Sequence, residues 1–131
     1  MDKTAFVTGG AAGMGRALCN ALASRGARVV IADIKGEEAE RAASELISKG
    51  FTACAITLDV TSEDAVFRAV DETVSRFGSL DYYINNAGIG ISADARDLNM
   101  GQWRRVFDGF RLVRHRWKHA DYRRVIYQHE R

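Results

Sequence analysis

The architecture of this chain can be predicted from one stretch near its start, Thr4-Ala-Phe-Val-Thr-Gly-Gly-Ala-Ala-Gly-Met-Gly-Arg16. Its apolar run, residues 5–7, is typical of a buried strand, and four glycines crowd into the seven residues that follow Thr8. Beyond them apolar residues recur every three or four positions, which predicts an amphipathic helix. The apolar face of that helix comprises Met14, Ala17, Leu18, Ala21 and Leu22. The order strand, glycine-rich turn, helix predicts a site for the phosphates of a nucleotide.

The turn has the chemistry that a pyrophosphate requires. Because Gly9, Gly10, Gly13 and Gly15 carry no side chains, the backbone can approach the phosphates closely. The free N–H groups and the positive dipole end of the following helix favour an anion. A flexible turn without a ligand is the alternative. The position of the glycines between a buried strand and an amphipathic helix favours the phosphate site.

The chain then alternates strands and helices. The predicted strands are 5–7, 28–32, 52–58 and 80–85, and the two later helices are 37–49 and about 61–77. Gly26, Gly50 and Gly78 are predicted to end the helices, and Thr61 to cap the third one together with Asp64. The predicted inward faces of the second and third helices are Ala39, Ala42, Ala43, Leu46 and Ile47, and Val66, Ala69, Val70, Val74 and Phe77. Such alternation predicts an α/β fold, with a parallel sheet, right-handed crossovers and helices on both faces.

Asp33 stands at the carboxyl end of the second predicted strand, about 20 residues beyond the glycine turn. A carboxylate there can accept hydrogen bonds from the ribose hydroxyls of adenosine, and it would repel a 2′-phosphate. No Lys or Arg lies between Gly9 and Gly15 to attract that phosphate. The combination favours NAD over NADP as the ligand. An ordinary turn carboxylate at the end of a strand is the alternative.

Composition limits the compartment and the partners. The chain is 131 residues long, 47% hydrophobic and without a signal peptide or an apolar run that would span a membrane. Cys19 and Cys54 lie in a predicted helix and a predicted strand without metal-site spacing, so both are expected to be small buried side chains. These features predict a cytoplasmic protein of one domain at most.

Two motifs carry a family resemblance. The spacing Thr8-Gly9-x-x-x-Gly13-x-Gly15 resembles the Thr-Gly-x-x-x-Gly-x-Gly signature of the short-chain dehydrogenase/reductase family, and the run 85–88 matches that family's Asn-Asn-Ala-Gly motif. The resemblance covers about residues 3–108, and residues 1–108 are predicted to be a partial dinucleotide-binding, Rossmann-type domain. It implies hydride transfer between a nicotinamide cofactor and a small alcohol or carbonyl substrate. It also implies the strand order 3-2-1-4, with the ligand beside the first and fourth strands.

The resemblance also implies which residues hold the cofactor. In the family an Asp-Val pair at this point lies beside the adenine, and the Asn-Asn-Ala-Gly motif contacts the cofactor and stabilises the central sheet. The cofactor-binding residues predicted from the turn, from Asp33 and from the family are Gly9, Gly13, Met14, Gly15, Asp33, Ile34, Asp59, Val60, Asn86, Ala87 and Gly88. For Asp59 the alternative is a turn residue that leads into the third helix. No metal site is predicted.

The family's catalytic residues are absent from these 131 residues. In the family a tyrosine is the general acid/base, a lysine four residues later lowers its pKa, and a serine orients the substrate. None of the four tyrosines, Tyr82, Tyr83, Tyr122 and Tyr127, is followed by lysine at that spacing, and the last serine is Ser92. Arg131 follows Tyr127 at the right distance, but arginine barely deprotonates and cannot replace the lysine. No catalytic residue is therefore assigned. A non-catalytic nucleotide-binding or interaction module remains the alternative to an enzyme.

Residues 109–131 differ in composition from the rest. They hold 7 basic against 2 acidic residues and all three histidines, whereas residues 1–108 hold 12 basic against 15 acidic. Phe110 stands where the family has its active-site asparagine. A shifted reading frame or an altered splice junction is the favoured interpretation of this segment. The alternatives are a basic helix for nucleic acid or anionic lipid, and a metal pair at His115 and His119.

A sheet that stops after the fourth strand has two expected consequences. The strand 80–85 would become an edge, unpaired on one side. The family's surfaces for further helices and oligomer contacts would be largely missing. A further helix is predicted after Asn99, and its apolar face, which comprises Trp103, Val106 and Phe107, would be uncovered. The chain is then expected to be marginally stable, with residues 109–131 the least ordered.

Overall fold

A computed structural model describes residues 3–86 and 124–127 of the chain. In these ranges the elements are β1 (Thr4–Thr8), α1 (Gly13–Ser24), β2 (Arg28–Asp33), α2 (Gly36–Ser48), β3 (Ala53–Thr57), α3 (Glu63–Phe77), β4 (Tyr82–Asn85) and β5 (Arg124–Tyr127). The predicted strands and helices of residues 3–86 are thus all present, with ends that differ by a few residues. Residues 87–123, including the predicted helix around Trp103, lie outside the described ranges.

The strands form one parallel sheet in the order β3-β2-β1-β4-β5. The central strand β1 pairs with β2 on one side and with β4 on the other, and in both cases the register passes through Phe6, opposite Val30 and Tyr83. The predicted order 3-2-1-4 is confirmed. From β1 to β3 the strands are added on one side of β1, and β4 is added on its other side. A crevice is expected at such a reversal of strand order, at the carboxyl ends of β1 and β4.

The fourth strand is not an edge, and the prediction of an unpaired β4 is wrong. Residues 124–127 pair with it in parallel, from Tyr82 opposite Arg124 to Asn85 opposite Tyr127. This pairing was not predicted, because the strand is only four residues long and lies in a strongly basic segment. A parallel edge offers open backbone groups to any extended segment, whatever its side chains, so composition alone is a poor guide to such pairing.

Helices cover both faces of the sheet, as predicted. One apolar cluster joins α1 and α2 to the sheet face of Val7, Val29 and Ile31. The other joins α3 to the opposite face of Phe6, Val30 and Tyr83. In the second cluster the rings of Phe6 and Tyr83 stack, with centroids 4.9 Å apart and planes 9° from parallel. Because successive residues of a strand point to opposite faces, the fully buried β1 places Phe6 on one face of the sheet and Ala5 and Val7 on the other.

Two details of the predicted helix faces are wrong. In α1 the buried residues are Gly15, Cys19 and Ala23, whereas Ala17 and Ala21 are exposed. These three residues recur at every fourth position and have small side chains, which let α1 lie close to the sheet. Because small side chains are only weakly hydrophobic, they do not mark a buried helix face clearly in the sequence. In α2 the buried stripe is Ala39, Ala42, Ala43 and Leu46, and Ile47 lies just beyond it, 55% exposed. The predicted inward face of α3 is confirmed, and Thr73 adds to it.

The cap of α3 is Ser62 and not the predicted Thr61. The Ser62 hydroxyl accepts a hydrogen bond from the Ala65 N–H at 3.3 Å. Thr61 instead donates its hydroxyl to Asp59 Oδ1 at 2.6 Å. At the other end the helix finishes at Gly78, whose φ of 80° is left-handed, as the sequence predicts.

We expect Ser62→Ala to lower the free energy of unfolding by about 1 kcal/mol, because the first turn of α3 loses a side-chain acceptor. Ser62→Asp, which keeps an acceptor and suits the helix dipole, should stay close to the original stability. Urea denaturation of the three proteins measures the difference. Equal losses in both variants would show that the hydroxyl does not act as a cap.

Asp81 connects the beginnings of β1 and β4. Its Oδ2 accepts hydrogen bonds from the Thr4 N–H at 2.8 Å and from the Ser79 hydroxyl at 3.0 Å, and its Oδ1 lies 3.7 Å from Lys3 Nζ. Burial by itself would raise the pKa of Asp81, but these hydrogen bonds and the charges of Lys3 and Arg28 outweigh it and lower the pKa. The ionised carboxylate is therefore the form that stabilises the fold.

A carboxylate whose folded-state pKa is lowered contributes stability above its unfolded pKa, about 4. We expect Asp81→Asn to cost about 1.5 kcal/mol at pH 7, the lower end of the range for hydrogen bonds to a charged group. The gap between the two proteins should shrink as the pH falls below about 4, because the original side chain becomes protonated. Denaturation curves between pH 7 and pH 3 test this expectation. A gap independent of pH would assign the effect to packing.

Candidate functional site

The predicted cofactor residues of the described ranges gather at the carboxyl ends of the parallel strands. The glycine turn follows β1, Asp33 ends β2, and Asn86 follows β4 directly. Asp59 follows β3 one strand further out, where the sheet order places it beside β2. Ala87 and Gly88 lie outside the described residues, so their part in the site stays a prediction.

The four glycines of the turn serve different purposes. A Cβ on Gly13, where φ is +57°, would meet nothing within 4 Å, so the backbone there borders open space. A Cβ on Gly10 would lie 3.1 Å from Cys19 Sγ, from Ile31 Cγ2 and from the Val7 carbonyl. Gly9 also has a positive φ, 64°, which makes the sharp exit from β1 possible. Gly13 thus combines a left-handed backbone with open space, whereas a side chain at Gly10 would press against Cys19 and Ile31.

Asn86 ties the glycine turn to β4. Its backbone N–H donates to Thr8 Oγ1 at 3.0 Å, and its side-chain Nδ2 donates to the Gly9 carbonyl at 3.2 Å. The Thr8 hydroxyl in turn donates to the Ile84 carbonyl at 3.3 Å. A Cβ on Gly15 would overlap both the Gly9 carbonyl and the Asn86 amide. The lack of a side chain at Gly15 therefore allows the contact between Asn86 and the Gly9 carbonyl, in addition to any contact with a ligand.

Thr8 belongs to the family signature, but no role was predicted for its side chain. It is 1% exposed, and its hydroxyl serves as donor and acceptor between β1 and β4. Its signal in the sequence is its place immediately before the glycines, where a hydroxyl can reach the neighbouring strand. A β-branched residue is also common in strands, so the residue type alone does not indicate this role.

Asp33 contacts the glycine turn as well as its own loop. Its Oδ2 accepts from the Ala11 N–H at 3.2 Å, and its Oδ1 accepts from the Lys35 N–H at 3.0 Å. The carboxylate is only partly buried. Since each ionised oxygen can accept more than one hydrogen bond, acceptor capacity remains for ribose hydroxyls.

Two apolar side chains are unusually exposed beside these polar groups. Met14, at the start of α1, is 61% exposed, and Ile34, immediately after Asp33, is 65% exposed. The place of Met14 on the buried face of α1 was predicted wrongly, because the helix begins at the turn and its first residues lie above the end of the sheet. Exposed large apolar side chains of this kind can pack against the flat faces of a ligand's rings.

The Asp59-Val60 pair has a clear local role. Asp59 Oδ1 accepts from the Thr61 hydroxyl at 2.6 Å and from the Thr61 N–H at 2.9 Å, and these two bonds lower the pKa of the carboxyl. This is a turn that leads toward α3, which is the alternative that the sequence left open. Val60 is partly buried against the apolar cluster of α3. Contact of either residue with an adenine stays a prediction.

The cysteines have no nucleophilic character. Both are buried and unbridged, as predicted, and burial raises the pKa of Cys19 to about 12. Burial also raises the pKa of Cys54, and a hydrogen bond with Arg76 offsets only part of that effect. Within the described ranges no group of three or more His, Cys, Asp or Glu side chains could hold a metal ion. His115 and His119 lie outside those ranges.

The same part of the chain contains no helix with the length and the apolar character that a membrane crossing requires.

Comparison with known proteins agrees with this geometry. The family model described as short chain dehydrogenase matches residues 3–109. The chain is 43% identical over 105 residues to a sorbitol dehydrogenase of Cereibacter sphaeroides, an alignment that covers 80% of this chain and 40% of the relative. It is 42% identical over 108 residues to a cis-4-hydroxycyclohexanecarboxylate dehydrogenase of Sinomonas cyclohexanicum, with 82% and 43% covered.

A solved structure also matches most of this chain and about half of its own length. The crystal structure of a 3-ketoacyl-ACP reductase from Sinorhizobium meliloti superposes with a TM-score of 0.76 at 35% identity, covering 86% of this chain and 46% of that one. The chain spans about two fifths of the length of the curated relatives that it matches.

Proposed function

The chain belongs to the short-chain dehydrogenase family, and we propose that residues 1–108 form the NAD-binding part of a dehydrogenase or reductase. The family as a whole uses a nicotinamide cofactor, and its members are oxidoreductases. The observations that support binding in this chain are the open space at Gly13, the hydrogen bond between Ala11 of the same turn and Asp33, and the exposed side chains of Met14 and Ile34. A pyrophosphate would occupy the open space at Gly13.

Each part of the cofactor then has partners of matching chemistry. The backbone of the glycine turn and the N-terminus of α1 would hold the pyrophosphate. Asp33 would accept the ribose hydroxyls of the adenosine half, and Asp59 with Val60 would border the adenine. Asn86, Ala87 and Gly88 would contact the other half of the cofactor. When bound, the nicotinamide supplies a hydride acceptor or donor, and this chain's residues bind and orient it.

Binding of NAD by the full 131-residue chain can be measured by calorimetry. Saturable binding of one molecule per chain, lost in a Gly13→Val variant whose urea denaturation shows that it remains folded, would support the proposal. Absence of binding by a chain that is folded would refute it.

NAD is expected to bind about tenfold or more tightly than NADP, because Asp33 offers acceptors to ribose hydroxyls and negative charge to a 2′-phosphate. Asp33→Ala should abolish most of that preference, whereas Glu37→Gln, which removes a charge from the first turn of α2, should leave it in place. Calorimetry with both nucleotides provides the comparison. Tighter binding of NADP, or an Asp33→Ala variant with an unchanged preference, would show that the preference has another origin.

The segment 109–131 is proposed to lie outside the family domain. The family match ends at residue 109, and the change from acidic to basic composition falls at the same place. Its strand β5 nevertheless pairs with β4, so part of the segment adds to the sheet. No activity, substrate or oligomer contact is assigned to it.

A non-catalytic nucleotide-binding module is the second candidate function. The observation that favours it is the absence of Tyr-x-x-x-Lys from the 131 residues. Under either function we place the protein in the cytoplasm, because Cys19 and Cys54 are reduced and belong to apolar clusters on opposite faces of the sheet.

A further inference from the structure

We propose that Asp33 is a positioning residue for the glycine turn, in addition to any contact that it makes with a ribose. Its carboxylate would hold the Gly10–Ala11 peptide in the conformation that receives a pyrophosphate before the nucleotide binds. The nature of the ligand rests on the proposed function, but the effect on the turn does not.

The turn is attached to the end of β2 by two neighbouring backbone amides. The Gly10 N–H donates to the Ala32 carbonyl at 3.3 Å, and the Ala11 N–H donates to Asp33 Oδ2 at 3.2 Å. The second bond joins residues that are 22 positions apart, and Ala11 is only 3% exposed. One neutral and one charged acceptor thus fix successive peptides of a glycine-rich segment.

The charged bond is the one expected to matter more. Hydrogen bonds to an ionised acceptor are roughly twice as strong as those between neutral groups. Gly9 and Gly13 on either side have positive φ, and glycine backbone has the largest conformational freedom to lose. A turn of this composition needs such anchors in order to be ordered without its ligand.

Asparagine at this position separates the two roles of Asp33. The carboxylate accepts from Ala11 with one oxygen and from Lys35 with the other. An amide has a single oxygen, so Asp33→Asn can satisfy only one of these N–H groups and presents an NH₂ to the other. The turn then loses an anchor although the side chain keeps its size.

The two roles also predict opposite effects on an anionic ligand. If Asp33 acts only by charge and by ribose contact, its neutralisation should strengthen the binding of a diphosphate without ribose hydroxyls, because a nearby negative charge disappears. If Asp33 positions the turn, the same variant should bind that diphosphate more weakly. The sign of the change therefore distinguishes the two accounts.

The experiment uses the full chain and 2′,3′-dideoxyadenosine 5′-diphosphate, which lacks the ribose hydroxyls. Calorimetry should show roughly tenfold or more weaker binding by Asp33→Asn, the loss expected for one charge-assisted hydrogen bond. Glu37→Gln, the charge-matched control, should bind as the original protein does. In parallel, amide hydrogen exchange in the absence of nucleotide should be about tenfold faster at Ala11 in Asp33→Asn, and unchanged at Val30 in the core of the sheet.

Tighter binding of the dideoxy ligand by Asp33→Asn, with unchanged exchange at Ala11, would overturn the proposal. If the original protein binds no nucleotide, the proposed function fails, and the exchange at Ala11 still decides whether Asp33 orders the turn. If exchange at Val30 also rises, Asp33→Asn has unfolded. Asp33→Glu, which keeps the charge but displaces the oxygens by a methylene, then replaces it. Weaker binding of the dideoxy ligand and faster exchange at Ala11 are again expected, and unchanged binding with unchanged exchange would overturn the proposal.

Discussion

No NADH is expected above the enzyme-free blank when the 131-residue chain is incubated with NAD and a broad panel of alcohols. General acid/base catalysis by a positioned side chain contributes about 10²- to 10⁴-fold to a rate, and this chain carries no Tyr-x-x-x-Lys to supply it. Binding of the cofactor alone does not replace that contribution, since it does not move the proton of the alcohol.

The described tyrosines give this expectation a structural basis. Tyr83 is fully buried against Phe6, and burial raises the pKa of its hydroxyl. The hydroxyl therefore stays protonated and cannot accept the proton of an alcohol. Tyr82 begins β4 and so lies at the end of the strand away from the glycine turn. Tyr127 ends β5 in register with Asn85, at the same end of the sheet as the candidate site.

Tyr127 is therefore the tyrosine to substitute in testing this expectation. A rate of NADH formation above the blank that Tyr127→Phe abolishes would show that the chain has an acid/base of its own, and the expectation would be wrong. Tyr82→Phe is the matched control, because it removes the same hydroxyl from the other end of the sheet. A blank-level rate with all three proteins agrees with a cofactor-binding domain that does not turn over.

Among substitutions that add one methyl group to the candidate site, Gly15→Ala is expected to reduce stability and nucleotide affinity the most. The added Cβ would overlap the Gly9 carbonyl, which belongs to the backbone, and the Asn86 side-chain amide that is hydrogen-bonded to it. Overpacking and the lost Asn86–Gly9 hydrogen bond should together lower the free energy of unfolding by roughly 2–4 kcal/mol. Nucleotide affinity should fall by about 100-fold or more, because the turn and the start of α1 must separate.

Gly50→Ala is the control for Gly15→Ala. It also adds a methyl to a glycine, but in open space and far from the glycine turn in the sequence. Its left-handed φ of +87° should make it cost about 1–2 kcal/mol of stability while nucleotide binding is kept. Denaturation and calorimetry on both variants separate the two effects. Unchanged affinity in Gly15→Ala would mean that the contact between Gly9 and Asn86 does not shape the site.

The predictions that succeeded rest on strong local signals. Buried apolar runs gave the strands, and a glycine after each helix gave its end, because few other residues adopt a left-handed backbone there. The position of Asp33 beside the glycine turn followed from the alternation of strands and helices, since parallel strands bring their carboxyl ends to one edge.

The predictions that failed depend on contacts that a linear pattern does not contain. Thr61 and Ser62 are equally suitable caps by residue type, and only the path of the chain after Asp59 selects the serine. The close approach of α1 to the sheet is made by Gly15, Cys19 and Ala23, whose small side chains do not stand out as an apolar face in the sequence. The four residues of β5 carry no strand signal strong enough to stand out from a basic segment.

The bonds of Asn86 also set an order of events during folding. They join residues 77 and 78 positions apart, so they can form only after β4 has docked on β1. Closing so long a loop is slow compared with forming α1 or α2, whose contacts are local. During synthesis the glycine turn emerges first but has no partner for its Gly9 carbonyl until the whole stretch through residue 86 has left the ribosome. A nascent chain shorter than that should carry the sequence of a nucleotide site without being able to hold a nucleotide.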